Sequence, residues 1–319
     1  MTEISRLAGD LQASSPDVRL SLTRAGVTRV QKAIRVGHEG RETTMAAEIE
    51  CTVDLSHQQK GVHMSRFAEL FEEAIESVVS AEALHVEELA EHIARHIVDR
   101  QRALRAEARI TAQWPVRRTT PVSRIATQEL VSLVGIAAAS GDGVRRVVGV
   151  EATGINACPC AQGLVRGRAA ERLLAAGFED VDRILELVPV ATHNQRGRGT
   201  LYVGTDLRLD ATDLVAIVHD SMSAPVYELL KRPDELFVVE HAHLQPRFVE
   251  DSVRLSLRGA LDALPELEDG DFLYARQVNF ETIHAHDVIA ERHGTVGELR
   301  GELAGAAGGH TSLAAWLAA

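Results

Sequence analysis

The first half of the chain alternates between two spacings of hydrophobic residues. Apolar side chains occupy every second position over residues 45–53 and 106–114, which predicts two half-buried strands. Between them, apolar residues recur at every third or fourth position over 67–79 and 86–98, which predicts two amphipathic helices. The other elements predicted for this half are a strand over 18–22, a short helix over 127–138 and a strand over 144–150. The predicted order is therefore strand-strand-helix-helix-strand-strand.

The second half repeats this order more loosely. Its predicted elements are a helical insert between Cys160 and His193, a strand over 200–204, a helix capped by Asp210, a helix over 247–264 and a final strand over 272–286. A polar segment precedes the first strand, and a segment rich in Ala and Gly follows the last one. We therefore expect a flexible arm over 1–16, a first unit over 17–150, a second unit over 151–293 and a C-terminal tail over 294–319 that is a short helix or disordered.

The composition predicts a soluble globular protein of the reducing cytoplasm. The 319 residues are 45% hydrophobic, and neither a run of 18 apolar residues nor an N-terminal signal sequence occurs. Three cysteines, two of them almost adjacent, do not form a disulfide framework. A net charge of −12 and an aromatic content of 4% give neither a basic patch nor stacking platforms for nucleic acid. We expect neither nucleic-acid nor membrane partners.

Cysteine and histidine residues supply the candidate chemistry. Cys158 and Cys160 flank a proline, and this rigid geometry opposes a disulfide between them. Free thiols followed by His193 in a polar, Gly-rich strip are typical of a soft metal site or of thiol chemistry. The alternative is that the cysteines are small buried hydrophobes and His193 is a structural loop residue. His284 and His286 share one face of the predicted final strand, so they could contribute to a metal site.

Five sequence blocks resemble those of the metal-dependent GTP cyclohydrolases of type IB and their archaeal-type relatives, the GTP cyclohydrolases IV. The blocks are KGVHMSRF at 60–67, CPC at 158–160, HNQR at 193–196, KRPDE at 231–235 with FVED at 248–251, and IHAH at 283–286. They occur in the order of the family over residues 17–293, and the joint order is more specific than any single block.

The resemblance implies a fold and an assembly. The family has the tunnelling fold, an α+β architecture, and the chain would form two tandem units, each an antiparallel sheet of four strands backed by two helices. The family assembles as a homotetramer with active sites between subunits. Such an assembly would allow the scattered polar blocks to meet across an interface.

The resemblance also implies a site for one divalent metal ion. The expected ligands are Cys158, His193, Glu235 and His284. This mixed shell of sulfur, nitrogen and oxygen suits Zn²⁺, Mn²⁺ or Fe²⁺ and is too soft for Mg²⁺. Cys158 is also an expected catalytic residue, and His63 or His286 is the expected proton carrier.

The substrate implied by the resemblance is GTP. Glu250 corresponds to the glutamate that holds the amino and ring-nitrogen edge of guanine, because a carboxylate accepts two parallel N–H bonds. The expected further contacts with the substrate and its phosphates are Lys60, His63, Arg66, Gln195, Arg196 and Arg198. For Lys60 and Arg198, an exposed loop charge is the alternative interpretation. Neither a Walker P-loop nor a GxGxxG motif after a strand occurs, so phosphate binding has to use side chains.

The expected activity is metal-dependent hydrolysis of the imidazole ring of GTP, with release of C8 as formate. We favour the type IB product, 7,8-dihydroneopterin triphosphate for folate synthesis, because HMSRF and HNQR resemble that branch. The alternative is a dihydroneopterin 2′,3′-cyclic phosphate for methanopterin synthesis, because the long insert and the CPCAQ sequence resemble the archaeal-type branch. Two other classes stay open, a nitrile reductase with a cysteine nucleophile and NADPH, and a non-catalytic oligomer with a structural metal.

Overall fold

The computed structural model describes residues 10–38, 41–80 and 85–319 of the chain. The strands in these ranges are β1 (Leu22–His38), β2 (Arg41–Leu55), β3 (Arg105–Thr119), β4 (Ala126–Ser140), β5 (Gly143–Ala157), β6 (Asn194–Gly204), β7 (Ala224–Pro225), β8 (Phe272–Asn279) and β9 (Val288–Thr295). The helices are α1 (Met64–Ser80), α2 (Val86–Gln101), α3 (Pro159–Ala175), α4 (Val181–Leu187), α5 (Ala211–Ser221), α6 (Arg232–Leu244), α7 (Val249–Ala263), α8 (Val296–Leu303) and α9 (Leu313–Ala318).

The described strands form one antiparallel sheet. Their order is β1-β2-β3-β4-β5-β6-β8-β9, and the short strand β7 pairs with Gly154 and Ile155 of β5, beyond the last pairing of β5 with β4. The expectation of two tandem tunnelling-fold units with separate four-stranded sheets is therefore wrong. The division into units at residue 150 stays a prediction, and β5 runs through that position without a break.

A tight hairpin makes the sheet continuous across the middle of the chain. β4 and β5 pair from Ser132 opposite Glu151 to Ser140 opposite Gly143, with only two residues between the strands. Gly143 has a φ of +147°, a conformation that a residue with a side chain rarely adopts. The hydrogen-bonded ladder therefore passes directly from the first half of the chain into the second.

The main hydrophobic core lies between one face of the sheet and the helices α1, α2, α5 and α7. Leu89, Ile93 and Leu214 on these helices are almost completely buried against the sheet. Helix α2 packs so closely on β4 that a side chain at Gly135 would overlap the backbone at Val86. The amphipathic helices predicted over 67–79 and 86–98 are confirmed by α1 and α2.

The other face of the sheet carries more polar side chains. Arg109 donates a hydrogen bond to the Tyr202 hydroxyl at 2.7 Å on this face. Helix α9 covers one end of it, where Trp316 packs against Ile136 and Phe272 in a second, smaller apolar cluster. The Trp316 indole Nε1 donates to the Gly270 carbonyl at 2.8 Å, which fixes the tail on the sheet.

Several local predictions differ from the structure. β1 begins at Leu22, so residues 18–20 lie outside it, and the helix predicted over 127–138 is the strand β4. The final predicted strand ends at Asn279, and residues 282–286 form bends. The C-terminal tail forms α8 and α9. Of the predicted arm, residues 1–9 lie outside the described ranges.

No helix in the described ranges combines the length and the apolar composition that a membrane span requires.

Candidate active site

Cys158 and His193 face each other where β5 ends and β6 begins. The strands pair as far as Ala157 opposite Asn194, and the Cys158 amide then donates to the His193 carbonyl at 3.1 Å. The Thr192 hydroxyl donates to the Cys158 carbonyl at 2.8 Å. The structure therefore brings together two predicted metal ligands that are 35 positions apart in the chain.

Cys158 is also the N-cap of helix α3. Its Sγ accepts a hydrogen bond from the Ala161 amide at 3.5 Å, and Pro159 occupies the first helical position, where its missing N–H costs nothing. Cys160 lies exposed in the first turn, and both cysteines are free thiols. The Cys-Pro-Cys sequence thus ends a strand and begins a helix, and it presents the Cys158 sulfur at the end of the sheet.

His193 lies beside polar side chains of the adjoining strand β6 and of the segment that follows β8. Its Nδ1 is 3.1 Å from Gln195 Oε1 and 3.7 Å from Glu281 Oε2. The ring of His284 is perpendicular to it, with 6.5 Å between the ring centroids. Two of the predicted ligands, His193 and His284, therefore lie close together, one just before β6 and the other on the segment after β8.

Glu281 is a buried carboxylate that the sequence analysis missed. Its side chain is 7% exposed, and its Oε1 accepts a hydrogen bond from Gln195 Nε2 at 3.2 Å. Its Oε2 is buried without a hydrogen-bond partner among the described residues. The position of Glu281, three residues before His284, could have indicated its role in the sequence, because a segment that carries one site residue can carry a second.

The segment after β8 holds His284 and His286 beside β6. The Phe280 amide donates to the Arg196 carbonyl at 3.0 Å, and the Thr282 hydroxyl donates to the Asn194 carbonyl at 3.2 Å. His284 and His286 are exposed, and their rings stack with centroids 5.2 Å apart. The two rings are adjacent as predicted, although they lie on a bent segment and not on a strand.

Glu235, the fourth predicted metal ligand, lies apart from the others. It is exposed in the first turn of α6, and the structure describes no contact between it and Cys158, His193 or His284. As they stand, the described residues contain no group of three or more His, Cys, Asp or Glu side chains that could hold a metal ion. Within one chain, the predicted metal site is therefore incomplete.

The neighbour of Glu235 is a structural carboxylate. Asp234 is fully buried and accepts hydrogen bonds from the amides of Val122 and Ser123, at 2.9 and 2.8 Å, and from the Ser123 hydroxyl. Burial opposes the ionisation of Asp234, but the hydrogen bonds from Ser123, Lys231 and Val122 hold the pKa of this carboxyl well below its usual value. The ionised Asp234 joins the start of α6 to the β3–β4 turn, which fixes where Glu235 lies.

Glu250, the predicted purine contact, lies at the same end of the sheet as Cys158. It is exposed in the first turn of α7, and the Arg247 amide just before this helix donates to the Ala157 carbonyl at 2.9 Å. Glu250 lines a cavity of about 400 Å³ that Arg254 and Glu291 also border. An open space therefore adjoins this carboxylate.

Arg196 lines a second cavity near this end of the sheet. The volume is about 730 Å³, and Arg118, Thr153 and Tyr227 also border it. The Arg118 guanidinium lies 4.9 Å from the centre of the Tyr227 ring and forms an ion pair with Glu129 at 3.0 Å. Glu129 and Glu228 border the same cavity, and the contact predicted between Arg196 and phosphate stays a prediction. Arg198 lies farther along β6, where its Nε is 3.7 Å from a Glu151 oxygen.

The remaining predicted contacts lie at the opposite end of the sheet. The end of β2 is level with the first residues of β5, and it is followed by Lys60, His63 and Arg66. Cys158, in contrast, follows the last residue of β5. A 15-residue strand spans about 45 Å. In one chain, His63 pairs with Asp10 at 3.0 Å and Arg66 donates to the Arg100 carbonyl at 2.8 Å, far from Cys158.

Comparison with known proteins identifies similar sequences over most of the chain. The family model described as type I GTP cyclohydrolase folE2 matches residues 9–290. A GTP cyclohydrolase MptA of Methanococcus aeolicus is 41% identical over 305 residues, which cover 92% of this chain and 99% of the relative. The MptA proteins of Methanococcus maripaludis and Haloferax volcanii are each 39% identical, and each match covers 92% of this chain and 97% of the relative.

Solved structures share the architecture at low sequence identity. Uricase from Arthrobacter globiformis superposes with a TM-score of 0.50 at 10% identity, covering 88% of this chain and 96% of the uricase. A hyper-thermostable mutant of AgUricase gives a TM-score of 0.51 at 11% identity, with 88% and 94% of the two chains covered. At this identity the likeness concerns the fold alone.

Proposed function

Since the chain belongs to the type I GTP cyclohydrolase family and is a GTP cyclohydrolase, we propose that it releases C8 of GTP as formate and forms a dihydroneopterin 2′,3′-cyclic phosphate. The observation that carries this proposal is the 39–41% identity to GTP cyclohydrolases MptA over 92% of the chain. This favours the archaeal-type product over the triphosphate that the sequence analysis preferred.

The helical insert supports the same choice. Helices α3 and α4 make up most of the connection between Cys158 and His193. Gln162 of α3 donates to the Val190 and His243 carbonyls, at 2.9 and 2.6 Å, so the insert is fixed to the site at its base. The long insert between Cys160 and His193 was, with the CPCAQ sequence, the feature that resembled the archaeal-type branch.

The second candidate product is 7,8-dihydroneopterin triphosphate. The matching family model carries the description type I folE2, and the type IB enzymes that the sequence resembles give this product. The two reactions differ in the fate of the phosphates, because a cyclic monophosphate forms from a triphosphate only if diphosphate leaves. Diphosphate release therefore distinguishes the two products.

The side chains around His193 fit a soft divalent cation in their chemistry. Cys158, His193 and His284 offer sulfur and nitrogen donors at one end of the sheet, and Glu281 offers a buried oxygen that lacks a hydrogen-bond partner. A bound cation would satisfy this oxygen and would supply an activated water for attack on C8. Glu235, exposed in the first turn of α6, stays a proposed fourth ligand on the family resemblance alone.

The protein side chains would orient the ring nitrogens and carry the protons. Gln195 Oε1 lies 3.1 Å from Nδ1 of His193, so this nitrogen would be the donor and Nε2 would keep its lone pair. His286 stacks on His284 at the solvent edge, a position from which it can exchange protons with water.

The guanine and the phosphates would bind on either side of this centre. Glu250 borders the 400 Å³ cavity and would accept the N–H groups of the purine edge. Arg196, with Arg118 nearby, borders the 730 Å³ cavity and would neutralise phosphate charge in a protein of net charge −12.

A second copy of the chain would complete the site. Lys60, His63 and Arg66 lie about 45 Å along the sheet from Cys158, too far to contact the same GTP molecule. An oligomer in which the end of one sheet adjoins the opposite end of another would bring these cations to the site. The expected homotetramer with sites between subunits agrees with this separation.

Product analysis of the metal-loaded enzyme tests the proposal. Protein purified without oxygen is incubated with GTP and either Mn²⁺ or Fe²⁺, and formate, diphosphate and the mass of the pterin are measured. We expect one formate and one diphosphate per GTP and the mass of the cyclic phosphate. Formate without diphosphate would favour the triphosphate product, and no formate would refute both.

A further inference from the structure

A buried asparagine lies directly behind the candidate site. Asn156 of β5 is fully buried two residues before Cys158. Its Nδ2 donates to Ser252 Oγ and to Asn279 Oδ1, both at 3.0 Å, and its Oδ1 accepts from the Ser223 amide at 3.1 Å. Both amide hydrogens and the carbonyl oxygen of Asn156 are therefore hydrogen-bonded.

The partners of Asn156 lie on elements that carry other site residues. Ser252 is on α7, two residues after Glu250, and it is 1% exposed. Asn279 is the last residue of β8, immediately before the segment that holds Glu281 and His284, and it is 2% exposed. One amide group thus joins the helix of the purine contact to the strand ends of the reacting centre.

The groups around Asn156 are themselves held by hydrogen bonds and close packing. Gln277 Nε2 donates to Asn279 Oδ1 at 3.0 Å, and Ser223 Oγ accepts from the Ala157 amide at 3.1 Å. A side chain at Gly197 would overlap the amides of Gln277 and Asn279, so this position on β6 has no room for one. A buried and satisfied polar network of this kind holds its members in one geometry, because any shift leaves a buried polar group unpaired.

We infer that Asn156 is a positioning residue that sets the place of Glu250 relative to the reacting centre and thereby the preference for guanine. The inference rests on the proposed function, since it assigns the purine edge to Glu250. Asn156 itself is sealed from solvent and acts through Ser252 and Asn279. Loosening the bond to Ser252 would allow α7 to shift and would weaken the contact between Glu250 and the 2-amino group.

The helix offers a matched pair of serines for the test. Ser252 and Ser256 lie one turn apart on the buried face of α7, at 1% and 4% exposure. Ser252 contacts Asn156, whereas Ser256 Oγ has no hydrogen-bond partner among the described residues. Ser252→Ala removes one bond of the network, and Ser256→Ala removes a hydroxyl of equal size without such a bond. These variants avoid the larger disturbance of Asn156→Ala, which would remove three buried hydrogen bonds at once.

The measurement compares GTP with inosine triphosphate, which lacks the 2-amino group. The ratio of their kcat/KM values is determined for the wild type and both variants, together with the dissociation constants of GMP and IMP. We expect Ser252→Ala to lower the GTP preference about tenfold, the factor that corresponds to one lost hydrogen bond, and Ser256→Ala to leave it unchanged. A general loss of stability would reduce turnover of both nucleotides equally and would leave the ratio intact.

Three results would overturn the inference. The first is an unchanged GTP preference in Ser252→Ala, and the second is an equal fall in both serine variants, which would assign the effect to packing of the helix face. The third is a wild-type enzyme that does not convert GTP, which would refute the proposed function as well. The first two leave the proposed function standing, so the two failures are distinguishable.

Discussion

Glu281 is the side chain on which the chemistry of the site depends most directly. It is buried beside His193, and one of its oxygens has no hydrogen-bond partner among the described residues. We predict that Glu281→Gln, which keeps the shape but removes the charge, lowers both kcat/KM for formate release and bound metal by roughly 10- to 100-fold. Enzyme assays and metal analysis of the purified protein measure the two effects.

The control for this variant is an exposed acid away from the site. Glu266→Gln changes the net charge by the same amount on an exposed turn, and we expect it to leave activity and metal content unchanged. Full activity and metal content in Glu281→Gln would contradict the role of this carboxylate.

Glu87 makes stability depend on pH. It is 3% exposed in the first turn of α2, and burial raises the pKa of this carboxyl from 4.5 to about 7. The folded state therefore binds the proton more tightly than the unfolded state. The protonated Glu87 therefore contributes to stability below pH 4.5, and this contribution is lost as the pH rises through 7. It amounts to on the order of 3 kcal/mol.

We predict that Glu87→Gln abolishes this loss. The variant should be more stable than the wild type at pH 8, by up to about 3 kcal/mol of unfolding free energy. Near pH 4.5 the two proteins should be about equally stable. Urea unfolding at both pH values measures the difference, with Glu69→Gln on the exposed face of α1 as the control. Equal stabilities of variant and wild type at pH 8 would contradict the buried, uncharged state of Glu87.

At the scale of elements, the C-terminal helix α9 is a structural cover for the polar face of the sheet. Trp316 is 5% exposed against Ile136 and Phe272, and its ring lies 4.7 Å from the Arg145 guanidinium. We predict that Trp316→Ala costs about 3 kcal/mol of unfolding free energy, since it empties a large buried volume. Denaturant unfolding measures this loss, with Leu303→Ala at an exposed position as the control. A loss of unfolding free energy below about 1 kcal/mol in Trp316→Ala would contradict the packing role of Trp316.

The elements that the sequence predicted well are those with one buried face. The strands over 45–53 and 106–114 and the helices α1 and α2 have regular apolar spacing, because solvent lies on their other side. β4 was predicted as a helix, since residues 133–139 are buried on both faces and include Ala137, Ala138 and Ala139 without alternating polar residues. Burial on both faces removes the period that distinguishes a strand from a helix.

The site could be predicted only in part for a related reason. Cys158, His193 and His284 stand out in the sequence. The structure pairs the backbone of Cys158 with that of His193 and places the rings of His193 and His284 6.5 Å apart. Asn156 and Glu281 do not stand out, because their importance lies in contacts between distant segments. The continuous sheet likewise depends on the pairing of β4 with β5, which the resemblance to tandem units did not indicate.

At the scale of the whole molecule, the separation of the cations from the cysteine predicts a shared site. We expect Arg66→Ala and His284→Asn to be inactive alone and to regain activity when the two proteins are mixed and allowed to exchange subunits. If the chains mix at random, about a quarter of the sites would combine an intact Arg66 from one chain with an intact His284 from another. The measurement is formate release after mixing, and no recovery in oligomers shown to be mixed would contradict a site shared between copies.

The central claim is that GTP loses C8 at the end of the sheet that carries Cys158, His193 and His284. The most direct test follows formate from GTP labelled with ¹³C at C8, by NMR, for the metal-loaded wild type and for His284→Asn at matched oligomeric state. We predict labelled formate from the wild type and none above background from the variant. Formate release by His284→Asn at the wild-type rate would contradict the claim.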